Sequence, residues 1–221
     1  SSTPEGLILS GPHFFVANPL SKTPRRQCTE KNHYDSIDLT GIPEEYLPRT
    51  NYVPAGNAGE YARRAPVLDW GERLSALGCY RLVSSEAISR DGERTLQAAI
   101  LPPGCGHIHK VYGYAFRRNR DLLRTAAAWM SLPLDFFVKS TGAQSFLPNL
   151  ARRLPIPSTV LPPQALRVLA LNCLTRHYAE LWRDSFDSAF RGDAWARVEH
   201  RLPETYFESL DREWTWHTPL R

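Results

Sequence analysis

The chain of 221 residues has no apolar stretch near the roughly 18 residues that a membrane-spanning helix needs, which excludes a transmembrane span. Its opening, SSTPEGLILSGPHFF, lacks the basic-then-apolar order of a secretory signal peptide. The four cysteines, Cys28, Cys79, Cys105 and Cys173, show no paired spacing that would predict a disulfide framework. We therefore expect free thiols, a cytoplasmic protein and no membrane partner.

Motifs of known catalytic centres are also missing. The sequence has no glycine-rich phosphate loop, no GxSxG elbow and no HExxH pair. It has neither the cofactor loop nor the Asn/Asp-Pro-Pro-aromatic motif of a methyltransferase, and no PD…(D/E)xK nuclease pattern. We expect a chain that has no catalytic centre and binds no cofactor of its own.

One group of residues keeps a metal site open as an alternative. Cys105, His107 and His109 alternate in CGHIH, and on a strand they would face the same side. Cys28 with His33 would in principle complete a zinc site. Against this, the chain has no CxxC pair, and the spacings match no common zinc finger. A small metal-dependent nucleic-acid enzyme is thus an alternative that metal analysis tests.

Lysine is scarce, since it supplies only four of the 27 basic residues. Arginine favours bidentate recognition of phosphate or guanine, although its excess equally reflects a GC-rich genome. Residues 1–157 contain 19 Lys and Arg against 14 Asp and Glu, whereas residues 158–221 contain 8 against 9. The uneven charge favours a polyanion partner for the first part, without deciding it.

The hydrophobic pattern also differs between the two parts. Residues 1–60 are rich in Pro and Gly and predict short strands, LILS and HFFVAN, between loops. The runs YRLVSSEAIS and RTLQAAIL are β-prone, and Asp91-Gly92 between them predicts a hairpin turn. Residues 121–131 predict a helix with Asp121 as its N-cap.

The last third is helical in pattern. LPPQALRVLALNCLTRHYAELWRDSF predicts one long amphipathic helix that begins near Pro163, and residues 193–200 predict a second. The pattern as a whole predicts an α+β fold, with a mixed or antiparallel sheet in a first domain, residues 1–157, followed by a helical segment, residues 158–221.

The order of motifs in the middle of the chain resembles a known family. ERTLQAAILPPGCGHIHKVYGYAF is followed by AAAWMSLPLDFFVKSTGAQSFLPNLARRLPIPSTVLPPQ. This order is similar to that of the target recognition domain of type I restriction specificity subunits. The same module is fused to adenine-N6 DNA methyltransferases of the type IIG and phage-defence kinds. The resemblance implies sequence-specific recognition of double-stranded DNA, which is not catalytic by itself.

The resemblance extends over nearly the whole chain. ALRVLALNCLTRHYAELW and EWTWHTPLR are similar to the helical region that follows the recognition domain. The opening segment GPHFFVANPLSKTPR resembles the entry into the recognition region, just after the catalytic domain. Individual motifs are degenerate, and only their order is specific. The catalytic domain is missing, so the chain resembles an excised C-terminal portion or a free-standing subunit. The implied partner is a methyltransferase catalytic domain in cis or in trans, which would hold S-adenosylmethionine.

A DNA-recognition domain needs a basic face and loops that reach base edges from a rigid scaffold. Two basic clusters and two polar turns supply the candidate DNA-binding residues. These are Lys22, Arg25 and Arg26, with Lys31 beside them; Lys110, Arg117, Arg118 and Arg120, with Arg124 beside them; Arg90 and Arg94 around Asp91-Gly92; and Lys139, Ser140 and Gln144 around the Ser-Thr-Gly turn. Solvated charge, chain reversal and helix capping are the ordinary roles that remain open for them.

A second function class also fits the pattern. In this alternative the chain is a protein-interaction domain, its basic surface is incidental, and its helical tail docks a partner. Salt-dependent duplex binding separates the two, because phosphate contacts release counterions.

Overall fold

The computed structural model describes residues 3–30, 32–197, 200 and 202–221. Its architecture is α+β, as predicted. The strands are β1 (Ile8–Leu9), β2 (Lys22–Pro24), β3 (Tyr34–Ser36), β4 (Arg81–Ser85), β5 (Ala98–Leu101), β6 (Gly106–His107) and β7 (Val111–Ala115). The helices are α1 (Ala58–Arg64), α2 (Asn119–Trp129), α3 (Leu132–Ser140), α4 (Pro148–Ala151), α5 (Pro162–Asn172) and α6 (Ala179–Ser185). No helix within these described ranges is both long and apolar enough to cross a bilayer.

The central sheet consists of three antiparallel strands in the order β5-β4-β7. Leu82 of β4 pairs with Ile100 of β5 on one side and with Tyr114 of β7 on the other. β4 is buried along its whole length, so both of its faces are covered by other elements. A parallel pair, β1 with β6, and an antiparallel ribbon, β2 with β3, complete the strands.

The larger core lies between one face of this sheet and the helices. Leu82 and Ile100 of the sheet pack in one cluster with Leu122 of α2, Leu166 of α5 and Trp182 of α6. Side chains from both sides of residue 157 therefore share one core. The domain boundary that the sequence predicts at this residue stays a prediction.

The opposite face of the sheet is covered by the N-terminal segment. Leu9 and Phe14 pack there against Val83, Ala99 and Leu101. Alternation along β4 explains the two faces, because Leu82 and Val83 are neighbours that point to opposite sides. The N-terminal segment, including β1, thus forms one layer of a three-layer arrangement.

The single long helix predicted from Pro163 is wrong, because α5 ends at Asn172. The chain then passes through Cys173 and the buried Leu174 and Thr175 before α6 begins. The break lets the Asn172 and Tyr178 side chains bind the backbone of Ile100 at the outer edge of β5. The periodicity favours a continuous helix, but the unpaired backbone groups at the strand edge need partners, and the break supplies them.

Other local predictions need correction. HFFVAN is not a strand, since His13 ends the 3-10 turn Gly11–His13, and Phe15 and Asn18 form only an isolated bridge across a turn. The N-cap of α2 is Arg118, so Asp121 lies within the first helical turn. Residues 193–197 are not helical, residues 198 and 199 of that predicted helix lie outside the described residues, and the 3-10 turn nearby spans Ser188–Gly192.

Strands β4 and β5 pair in antiparallel fashion, as predicted, but the loop that joins them is not a tight hairpin turn. The loop spans residues 86–97, and β5 begins only at Ala98. The carboxylate of Asp135 in α3 accepts hydrogen bonds from the backbone N–H groups of Thr95 (2.9 Å) and Leu96 (2.7 Å). These bonds hold the end of the loop against α3, so the ladder does not extend toward Asp91-Gly92.

Candidate nucleic-acid interface

Three chain segments meet at the end of the central sheet where β4 ends at Ser85. They are the loop 86–97, the turn 108–110 and the segment 139–145, and we call them together the loop end. Each follows or precedes a strand or helix of the scaffold. The loop end is therefore irregular backbone held by regular structure, an arrangement that often carries binding residues.

Backbone hydrogen bonds tie the three segments together. The Glu86 N–H donates to the Lys110 carbonyl at 2.9 Å, and the Phe146 N–H donates to the Glu86 carbonyl at 2.7 Å. Ala87 and Ser145 form an isolated antiparallel bridge. The loop end is one connected surface, although its parts lie far apart in the sequence.

The loop end brings together candidate residues predicted in separate stretches. Arg90 is exposed, and a Cβ placed on Gly142 would lie 3.8 Å from its Nη1. Lys139 Nζ donates to the Gly92 carbonyl at 3.5 Å, while Ser140 Oγ donates to the Phe136 carbonyl at 2.8 Å. Gln144, the remaining candidate in this segment, is exposed. Gly142 has φ +70°, a conformation that favours glycine, so this turn depends on it.

The charge of the loop end is mixed. Lys110 Nζ donates to Glu86 Oε1 at 3.0 Å, which neutralises one pair. Asp91 and Glu93 are exposed beside Arg90. A surface that offers donors and acceptors together complements a base-pair edge, which carries both kinds of group, better than it complements a phosphate, which only accepts.

A groove of about 430 Å³ with mixed polar and apolar walls lies beside the Ser-Thr-Gly turn. Its lining includes Thr141, Ser145, Asn149 and Arg153. Sequence reasoning did not select Asn149 or Arg153, because nothing in their local pattern separates them from ordinary helix-end residues. Their role depends on the packing of α4 beside the turn.

Arg94 lies inside the protein rather than on this surface. Its side chain is only 16% exposed, and its Nε lies 3.4 Å from Asp135 Oδ2. Its Nη2 donates to the Met130 carbonyl at 2.9 Å. Arg94 thus neutralises the carboxylate that holds the loop, and we remove it from the candidate DNA contacts.

The second basic cluster is divided by β7. Lys110 precedes this strand at the loop end, whereas residues 116–120, which we call the arginine turn, follow it at the other end of the sheet. A five-residue strand is about 17 Å long, so the two groups do not form one patch. The arginine turn holds three exposed candidates, Arg117, Arg118 and Arg120.

Two of these arginines have partners. The Arg117 guanidinium lies 5.7 Å from the centre of the Trp70 ring, and Arg118 Nε lies 2.8 Å from Asp121 Oδ2. Arg118 pairs with Asp121 at an exposed site, where ion pairs contribute little to stability. Its charge remains open to an outside anion.

The first basic cluster lies on the ribbon of β2 and β3. Lys22, Arg25 and Arg26 are exposed, and Arg25 Nε lies 2.9 Å from Asp35 Oδ1. The ribbon contacts the 3-10 turn at Gly11–His13. Lys31, which the sequence placed in the same cluster, lies outside the described residues.

The residues of the metal alternative do not share one strand, so that expectation is wrong. β6 ends at His107, and His109 lies in an exposed turn. Burial raises the pKa of the Cys105 thiol to about 12, which disfavours the thiolate that binds metal. Within the described part of the chain, no three His, Cys, Asp or Glu side chains are grouped so that they could hold a metal ion. All four cysteines are free, as predicted.

No protein-family model, no curated protein and no solved structure matches this chain. The resemblance to target recognition domains therefore depends on the motif order given above. The geometry of the loop end, the arginine turn and the ribbon is independent of that resemblance.

Proposed function

We propose that this chain is a sequence-specific double-stranded DNA recognition module of an adenine-N6 DNA methyltransferase. In this proposal the catalytic domain lies in the same chain or in trans and holds S-adenosylmethionine, while these residues bind no cofactor and catalyse nothing by themselves. The setting is restriction-modification or phage defence in the cytoplasm. The observation that carries the proposal is the meeting of Arg90 with Lys139, Ser140 and Gln144 at one exposed end of the sheet.

The chemistry of the loop end suits base edges. An arginine donates two hydrogen bonds to guanine O6 and N7, and a glutamine pairs in the same way with adenine N6 and N7. The carboxylates of Asp91 and Glu93 accept from the amino group of cytosine. Arg90 and Gln144 are thus the side chains to which we assign base reading.

The arginine turn suits phosphates, because it holds three arginines and no acid, and Asp121, the acid that follows it directly, pairs with only one of the three, Arg118. The separation of about 17 Å along β7 is half of the roughly 34 Å turn of a duplex. One duplex therefore has the length to contact both ends. We assign the ribbon residues Lys22, Arg25 and Arg26 to phosphates as well.

The test is duplex binding by fluorescence anisotropy, after a preferred sequence has been selected from a random pool. Arg90→Gln and Gln144→Ala should each weaken binding to the selected duplex by about 1–3 kcal/mol and binding to a random duplex much less. Arg183→Gln, an exposed change on α6, is the matched control and should alter neither. Absence of duplex binding at low salt, or equal losses with the control, would contradict the proposal.

A second candidate function, protein docking, is favoured by one observation. Leu132 and Phe136 on α3 are 70% and 71% exposed, and Phe137 is also exposed. The helical tail is not free for this role, because Leu166 and Trp182 are buried in the core. The variant Leu132→Ser/Phe136→Ser separates the functions, since it should abolish capture of a protein partner and leave duplex binding unchanged if α3 is a docking face.

A further inference from the structure

A cleft of about 480 Å³ lies over one face of β4 and β7. Arg81, Gly113 and Ala115 form its floor, while α1 and the segment 65–77 form its opposite wall. Arg81 pairs directly with Ala115 across the sheet. Since the β7 residues on this face are small, the cleft reaches the buried strand β4.

Arg81 is an unpaired cation at the bottom of this cleft. Arg81 is only 4% exposed, and the other residues of its strand are apolar or carry hydroxyl groups. Its Nη2 donates to the Cys105 carbonyl, while its Nε has no hydrogen-bond partner. No carboxylate in the described part of the chain lies within ion-pair distance of it. Arginine stays protonated in proteins, so this buried charge lacks a counter-ion.

The other lining residues complement an anion. Among the described residues, no Asp or Glu lines the cleft. Arg64, which pairs with Glu60, lies at its rim, and Tyr61 and His107 lie on its walls. Burial and the nearby Arg81 charge lower the pKa of His107, so its imidazole is neutral near pH 7. Arg81 is thus the charged group that determines which ligand the floor accepts.

The remaining wall is apolar and aromatic. Leu68, Leu77 and Tyr112 line the cleft together with the ring of Tyr61. Its volume falls within the range of about 300–1,000 Å³ that small-molecule sites occupy. A free inorganic ion fills only part of such a space, so an acid group attached to a larger body fits better.

We propose that this cleft binds a small organic anion whose phosphate or carboxylate group pairs with Arg81 and whose body packs against Tyr61 and Leu77. The guanidinium of Arg81, which has no carboxylate partner in the described part of the chain, would donate to the acid group from its edge at the cleft, as arginine does in anion recognition. The proposal does not depend on the DNA-binding function.

The test follows the arginine Nε–Hε signals of the ¹⁵N-labelled chain by NMR. The Arg81 signal is assigned by its loss in Arg81→Gln. Inorganic phosphate, adenosine 5′-monophosphate and benzoate are titrated separately, with ionic strength held constant by NaCl. We expect a saturable shift of the Arg81 signal with the phosphate monoester or the aromatic carboxylate, at lower concentration than with inorganic phosphate.

Two variants make the test specific. In this proposal the Tyr61 hydroxyl, on the cleft wall, would also donate to the acid group. Tyr61→Phe, which removes that hydroxyl and keeps the ring, should weaken binding by about 2- to 10-fold, the effect of one lost hydrogen bond. Arg63→Gln is the matched control, because Arg63 is an exposed arginine of α1 that does not line the cleft, and it should bind as the unchanged protein does.

Three outcomes overturn the proposal. The first is an Arg81 signal that none of the three anions shifts. The second is a shift that NaCl alone reproduces or that Arg63→Gln removes, since this indicates general charge screening. The third is a shift caused only by a short DNA duplex, which identifies the anion as a backbone phosphate rather than a small molecule.

Discussion

The side-chain oxygen of Asn172 accepts a hydrogen bond from the backbone N–H of Ile100 at 2.9 Å. The Asn172 amide also donates to the Val168 carbonyl at 2.8 Å, so the bond joins the end of α5 to the edge of β5. Tyr178 OH donates to the Ile100 carbonyl at 2.9 Å. Both backbone groups of Ile100 are therefore bound by side chains, and the tail completes the sheet.

Asn172→Ala should lower the free energy of unfolding by about 1–3 kcal/mol, because it leaves the buried N–H of Ile100 without an acceptor. The exposed neighbour provides the control, since Leu171→Ala should change stability by less than about 0.5 kcal/mol. Urea unfolding followed by circular dichroism measures both values. Equal effects of the two substitutions would show that the edge bond contributes nothing specific.

Asp135→Ala should be more damaging, with a loss of about 3–5 kcal/mol, because it leaves the Arg94 charge buried and unpaired. It also removes the acceptor of two backbone N–H groups, those of Thr95 and Leu96. The double variant Asp135→Leu/Arg94→Met should recover part of this loss in the same urea experiment. If the double variant is no more stable than Asp135→Ala, the buried pair is not the cause.

The arginine turn makes a separate prediction about DNA. Replacement of Arg117, Arg118 and Arg120 by Gln should weaken binding equally on every duplex, because phosphates carry no sequence information. The slope of log affinity against log salt concentration should fall by roughly 2.7, at about 0.9 for each lost contact. Anisotropy at several salt concentrations measures it. The control is Arg183→Gln/Arg212→Gln on the helical side, and a similar fall there would contradict the assignment.

Stability should also depend on pH through His13. This side chain is fully buried, its Nδ1 accepts from the Ser10 N–H at 3.0 Å, and its Nε2 donates to the Arg49 carbonyl at 2.8 Å. Burial lowers the pKa of His13 below 6.5. The unfolded chain then binds more protons, so this contribution is fully present above pH 6.5 and is lost as the pH falls through the folded-state pKa.

Urea unfolding at about pH 7.5 and about pH 5.5 measures this effect on either side of the ordinary histidine pKa. The unchanged protein should lose stability at the lower pH, and His13→Gln should lose less. His107, whose pKa burial also lowers, contributes in the same direction in both proteins. His109→Gln at an exposed position is the control and should keep the full pH dependence, so an identical dependence in His13→Gln would refute the assignment.

Local patterns predicted much of the scaffold. Two β-prone runs predicted β4 and β5, the Ala- and Leu-rich residues 121–131 predicted α2, and amphipathic spacing predicted the start of α5 near Pro163. Each of these elements is indicated by the residue types and their spacing within one segment, so the local sequence is enough to predict it. The order of these tendencies along the chain predicted the α+β class, and the lack of paired spacing predicted the free cysteines.

The candidate site was only partly predictable. The residue types around Arg90 and around Lys139 indicated polar turns, but not that the two turns meet. The sequence could not distinguish Arg94 from Arg90, because the burial of Arg94 depends on its pairing with Asp135 of α3, which is distant in the sequence. Arg81 gave no functional signal at all, since its lack of a partner is a property of the assembled cleft.

The sequence by itself determined the strand and helix tendencies, the absence of familiar catalytic motifs and the excess of arginine. Only the tertiary structure decided that Lys110 and Arg117 lie at opposite ends of β7 and that the long helix breaks after Asn172. It also decided that Arg81 is buried with no counter-ion among the described residues. The physical reason is the range of the interactions. Periodicity reports which face of a segment is apolar, whereas pairing, edge covering and charge burial depend on residues that are distant in sequence and close only after folding.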